Sequence, residues 1–159
     1  MKKFNRRCEF KLRDAEFLLA VAYTLERIPV ADISDLRAKI EEAWRLLLVN
    51  QFHDVLPGSS IELVHTEAKL WFRNSLQLAE EVVACCISYL GASNQFTGDH
   101  SLLNTLPWQR QALIYEDEKP IRAVTIPSMS WENVELGDIT PVILGKVFDK
   151  DCLQILFKA

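Results

Sequence analysis

The sequence predicts an α+β chain: a three-helix bundle over residues 1–92, a linker over 93–103, and an incomplete β-rich, sandwich-like region over 104–159. Three observations predict it. Apolar residues recur at three- and four-residue steps as far as Gly91, the stretch from Ala92 to Ser101 turns polar, and short β-prone runs follow, separated by Pro, Gly, Asp and Asn.

The first helix is expected near residues 8–27, where Phe10, Ala15, Leu18, Leu19, Ala22 and Leu25 form one stripe and Pro29 lies at or just beyond the end. The second is expected over 32–53, with Asp32 as N-cap and Leu36, Ile40, Trp44, Leu47, Leu48 and Phe52 on one face. Its apolar run is the strongest periodic signal in the chain. A third helix is expected over 60–90, announced by Ser59 with Glu62 three residues on, a capping-box spacing, and closed by Gly91. Short connections between three such helices favour a bundle in which each buries its stripe against the other two. Beyond the linker, Ala112–Tyr115, Ala123–Ile126 and Pro141–Leu144 read as strands, too few for a complete sandwich. The stretch from Val147 to Ala159 continues no recognisable pattern.

Composition narrows the function classes. A net charge of −4, with 49% hydrophobic and 25% charged residues, is that of a soluble globular protein and gives no electrostatic footprint for nucleic acid. The basic cluster Lys2, Lys3, Arg6 and Arg7 reads as a solvated terminus. Charged residues interrupt everything before Phe17, so no secretory signal is expected, and no run is long enough to span a bilayer. Cys8, Cys85, Cys86 and Cys152 have neither disulfide-framework nor metal-knuckle spacing, which favours reduced thiols and a cytoplasmic location.

The most informative segment is Leu46–Ile61, LLLVNQFHDVLPGSSI, where an apolar helix end runs into His53-Asp54 and then a Pro57-Gly58-Ser59-Ser60 turn. This segment resembles the α-mannosidases of glycoside hydrolase family 38, and most closely their cytosolic class. Arg7-Cys8-Glu9-Phe10 with Arg13-Asp14-Ala15-Glu16-Phe17 resembles the start of that family's helical middle domain. Asn104-Thr105-Leu106-Pro107-Trp108-Gln109-Arg110 resembles the opening of its β-rich domain. The three patches stand in family order, and the resemblance runs from about Arg7 to about Val134.

Alone, His53 reads as a capping or packing histidine and Asp54 as a turn aspartate bonding nearby backbone N–H groups. The resemblance implies more. It makes His53 a ligand of a divalent metal, zinc or cobalt, shared with carboxylates of a preceding N-terminal catalytic domain, and Asp54 a contact to sugar hydroxyls of a mannose-containing oligosaccharide. Gly58 and Ser59 are explained by a reversal and a cap. A nucleophilic serine is disfavoured because no Gly-x-Ser-x-Gly pattern surrounds it, and a phosphohydrolase dyad because no histidine precedes His53. Trp44 and Trp71 fall on helical stripes and read as core, and Trp108 as a packing residue of the β region.

The resemblance therefore implies a segment of a retaining α-mannosidase whose nucleophile and acid/base lie outside this region, so no catalytic residue is assigned and the isolated chain is expected to be inactive. A noncatalytic helical interaction module is the alternative.

Overall fold

A computed structural model describes residues 1–91, 100–116, 119–134 and 156–158. The chain divides into two compact units, Met1–Ser93 and Asn94–Ala159.

The first unit is the expected three-helix bundle, made of α1 (Lys2–Thr24), α2 (Val30–Val49) and α3 (Glu62–Gly91). The long α3 packs against both α1 and α2. Its core is built from Leu12, Ala15, Leu18 and Ala22 of α1, Leu36, Ala43 and Leu47 of α2, and Phe72, Ala79, Val82 and Cys86 of α3, all buried. Many of these are small, which lets the helix backbones approach closely enough for side chains to bond across them. Ser75 Oγ donates to the Ala43 carbonyl at 2.8 Å, and Cys8 Sγ to the Phe72 carbonyl at 3.3 Å. The buried Ser75 and Cys8 side chains are thereby satisfied by neighbouring helices.

The helix ends differ from those the sequence suggests, for reasons that can be named. α1 starts six residues earlier than expected, because Asn5 and Cys8 lie on its buried face while Lys2, Lys3, Arg6 and Arg7 are exposed on the other. It ends in a Schellman motif: Arg27 N–H donates to the Ala22 carbonyl and Glu26 N–H to Tyr23, with Glu26 at φ 55°. That closes the helix before Pro29 is reached. Pro29, rather than Asp32, is the N-cap of α2, and Asp32 sits in the first turn, where its carboxylate accepts the Tyr89 hydroxyl.

The core stripe of α2 also departs from expectation. Leu36, Ile40 and Leu47 are buried as expected, Trp44 is half-buried, but Leu48 and Phe52 are 55% and 57% exposed. The inward face of α2 is filled by Ala43 and Leu47, which rotates Leu48 outward, and the helix stops at Val49 before Phe52 is reached. In α1, likewise, Phe10 is exposed beneath the Arg6 guanidinium, 5.6 Å from its ring, and Leu12 takes the buried position.

Two protons in the bundle tie its stability to pH. The hydrogen bond to Asp32 pushes the Tyr89 hydroxyl up to about 12 from 10.0, and burial pushes the Cys86 thiol up to about 12 from 9.0. Folding favours the protonated form of both groups, so their contribution is complete below the lower values and is lost as pH rises through about 12. The thermal midpoint of the bundle should fall between pH 10 and 12, and Tyr89→Phe should make that fall shallower. An identical alkaline profile for the variant, followed by circular dichroism, would contradict the assignment.

The second unit contains β1 (His100–Asn104), β2 (Arg110–Glu116), β3 (Lys119–Ile126), β4 (Ser130–Val134) and β5 (Leu156–Lys158). All pairings are antiparallel: one sheet runs β4-β1-β5, and β2 with β3 forms a second, two-stranded sheet. The expected strands at 112–115 and 123–126 are the inner parts of β2 and β3. β1 occupies residues expected to be linker, whereas 92–99 and the expected strand at 141–144 lie outside the described residues. Asn104, fully buried, organises this unit. Its Nδ2 donates to the Trp108 carbonyl at 2.8 Å and to Pro127 at 2.7 Å, while its Oδ1 accepts from Leu106 N–H. Trp108 itself is 58% exposed and packs less than the sequence suggests. Among the described residues no helix is long and apolar enough to cross a membrane.

Candidate metal and sugar site

The site begins where α2 ends. Asn50, with 0% exposure, is the C-cap, and its Nδ2 donates to the Ala68 carbonyl of α3 at 3.2 Å. Gln51 Nε2 donates to Glu9 Oε1 of α1 at 2.9 Å. The end of α2 is thus bonded to both other helices. Beyond it the Phe52 carbonyl accepts Val55 N–H at 2.9 Å and Leu56 N–H at 3.0 Å. His53 and Asp54 are the two central residues of that turn, a position that turns side chains away from the core.

Their side chains are 77% and 61% exposed, and His53 Nε2 lies 3.4 Å from Asp54 Oδ2. The imidazole ring also packs against Phe52, with centroids 4.2 Å apart. An imidazole nitrogen and a carboxylate oxygen side by side can bind a common cation, or a cation and a hydroxyl next to it. The sequence places His53 on a helix end; the structure places it in a turn four residues past the helix, exposed and beside Asp54.

After the pair, Gly58 N–H donates to the Val55 carbonyl at 3.1 Å, and Gly58 adopts φ +86°, a backbone region open to glycine and strained for other residues. The reversal returns Ser59 and Ser60 to the turn, where both hydroxyls donate to the Asp54 carbonyl, Ser59 at 3.4 Å. Ser59 is therefore not the cap of α3 that its spacing to Glu62 suggests. The helix starts later, at Glu62, and the serines bond backward into the loop. Beside the turn lies an open, mainly apolar cleft of about 590 Å³, lined by Leu48, Phe52, Val55, Val64 and Trp71 among others. Trp71, expected in the core, is half-buried at this cleft.

Residues 1–90 match the family model described as the alpha mannosidase middle domain. The chain belongs to the α-mannosidases. This α-mannosidase chain is 34% identical over 138 residues to Alpha-mannosidase 2C1 of Mus musculus, covering 82% of the chain and 13% of the relative. With Alpha-mannosidase 2C1 of Homo sapiens it shares 34% identity over 141 residues, 84% of the chain and 13% of the relative. Alpha-mannosidase of Saccharomyces cerevisiae is 32% identical over 122 residues, 73% of the chain and 10% of the relative. The chain thus spans 13% or less of the length of these proteins.

Set against the chemistry expected of an α-mannosidase, the donor set is partial. Among the described residues no group of three or more His, Cys, Asp or Glu side chains stands close enough to hold a metal ion. The exposed His53 imidazole can offer one donor to a cation and the adjacent Asp54 carboxylate an acceptor beside it; a complete metal site would need further ligands from outside the described residues. Asn50, Gln51, Ser59 and Ser60 complete the local architecture. The sequence marks Ser59 and Ser60 as part of a turn but not as donors to the Asp54 carbonyl, and no pattern in it distinguishes Asn50 and Gln51 from ordinary helix-end residues.

Proposed function

We propose that this chain is a segment of a retaining, metal-dependent α-mannosidase acting on α-mannosidic bonds of oligosaccharides, free cytosolic ones in particular. In this reading His53 is one ligand of a zinc or cobalt ion and Asp54 contacts the sugar. The observation that carries the proposal is the exposed His53–Asp54 pair, 3.4 Å apart in a turn anchored to all three helices.

His53 offers a lone pair on a ring that Phe52 holds from one side. Asp54 accepts hydrogen bonds from mannose hydroxyls, orienting the glycone for attack. When bound, the cation would polarise those hydroxyls and favour the positive charge that develops on the sugar ring. Neither residue is placed to form a glycosyl-enzyme. Retaining hydrolysis needs a nucleophilic carboxylate and a carboxylic acid on opposite sides of the scissile bond. The family resemblance puts both in the catalytic domain that precedes this region, which is also the partner from which the other metal ligands come.

A second reading, a noncatalytic helical interaction module, draws on the exposed Leu48, Val49, Phe52, Ile61, Leu63 and Leu70. Both readings predict an isolated chain without turnover; they part in the complete polypeptide, where only the first needs His53 for metal. Supplied with zinc or cobalt, the chain should hydrolyse no aryl α-mannoside above a metal-only blank. Turnover that disappears on His53→Ala would show that the chain holds a complete site and overturn this division of labour.

A further inference from the structure

We infer that Ser60, together with Ser59, is a positioning residue that fixes the His53–Asp54 turn for its ligand through the Asp54 carbonyl. The inference rests on the reading of His53 as a metal ligand. It starts from a contrast between the two ends of the turn. The entry is tied down by Asn50 and Gln51, which bond to α3 and α1. At the exit, among the described residues, the Val55 and Leu56 amides donate to Phe52, inside the turn itself.

Core packing does not hold His53 and Asp54, whose side chains are mostly exposed; the contact of the imidazole is with its neighbour Phe52, inside the same turn. What fixes the peptide after Asp54 is a pair of hydroxyls donated to its carbonyl from five and six residues downstream. The reach depends on Gly58 at φ +86°, which turns the chain back. A Cβ there would meet only His65 Cε1, at 4.0 Å, so the backbone angle rather than crowding calls for glycine. A serine that capped α3 would accept an N–H; these serines donate to a carbonyl, and α3 begins without them, with His65 N–H donating to Ile61. Their hydroxyls are thus committed to the turn that carries the site.

The consequence is preorganisation. If the Asp54 peptide rotates freely, the His53 imidazole is aimed at its cation and the Asp54 carboxylate at the sugar only part of the time, and apparent affinity falls by that fraction. Groups that orient a ligand from behind typically contribute 10–100-fold in metal affinity.

The test uses the full 159-residue chain with Co²⁺ alone as probe, and follows paramagnetic broadening of the His53 ring protons and hydrogen exchange of the Val55 and Leu56 amides. In S59A/S60A, exchange should rise and the Co²⁺ concentration needed to broaden His53 should increase roughly tenfold. S59T/S60T, which keeps both hydroxyls, should restore both readings, and the thermal midpoint of the bundle should stay unchanged throughout. If the double variant does lower the midpoint, Ser60→Ala alone is measured in its place. Unaltered Co²⁺ broadening of His53 in the serine variants would overturn the positioning role alone. Absence of broadening at His53 in the unmodified chain would overturn both that role and the metal-ligand reading beneath it.

Discussion

Phe72→Ala should destabilise the helical unit by about 3–5 kcal/mol, a large part of the total stability of a domain this size. Phe72 is 1% exposed and is the largest of the fully buried side chains. It lies on α3, the helix that packs against both others, and its ring stacks on Phe4 of α1 with centroids 6.1 Å apart. Truncation removes the ring's burial and leaves a void that close-packed small residues such as Ala15, Ala43 and Ala79 cannot fill. Urea unfolding followed by far-ultraviolet circular dichroism should show a lower midpoint with an unchanged slope. The contrast is Leu48→Ala. With Leu48 55% exposed, that change should cost no more than about 0.5 kcal/mol, although hydrophobic periodicity alone puts Leu48 in the core. Equal losses for the two variants would contradict the packing described.

That contrast marks how far the sequence could be read. The three helices were legible because their stripes are long, and the three-residue phase of each stripe survives errors of a residue or two. Their ends were not, because local signals were outvoted by contacts distant in sequence. Glu26 takes the left-handed position that glycine usually holds, so the sequence offers only Pro29, five residues past the end of α1 at Thr24. The end of α2 is set at Asn50, whose side chain reaches Ala68, eighteen positions away. Once α2 stops there, a stripe extrapolated to Phe52 points to solvent. β1 was hidden for a related reason: His100–Asn104 is too short and polar to read as a strand, and it exists through its pairing with Ser130–Val134.

At the site, His53 and Asp54 are identifiable by residue type and resemblance, but the helix expected to carry His53 ends at Val49. The turn closed on the Phe52 carbonyl does the same work by different geometry. Ser59 illustrates the opposite failure. Its three-residue spacing to Glu62 satisfies the capping-box pattern, yet its hydroxyl donates to the Asp54 carbonyl, a choice that only the Gly58 reversal makes available.

The second large effect concerns the two site residues in the complete mannosidase polypeptide carrying this segment. On the proposed reading His53→Ala deletes a direct ligand and should weaken metal binding by about 100-fold or more, beyond what loss of a supporting group costs. Turnover of an aryl α-mannoside should fall with it, because the sugar hydroxyls lose the charge that polarises them. Asp54→Asn should act differently. The amide keeps the size of the side chain and a carbonyl oxygen, but it loses the negative charge that makes a carboxylate the stronger acceptor for sugar hydroxyls. Metal content should then stay close to normal while turnover drops.

The most direct measurement is therefore the metal content of that polypeptide after dialysis, compared among the unmodified protein, His53→Ala and Asp54→Asn. Metal lost from His53→Ala and kept in Asp54→Asn, with turnover impaired in both, is the predicted result. A His53→Ala protein that retains its full complement of metal would contradict the assignment of His53 as a ligand.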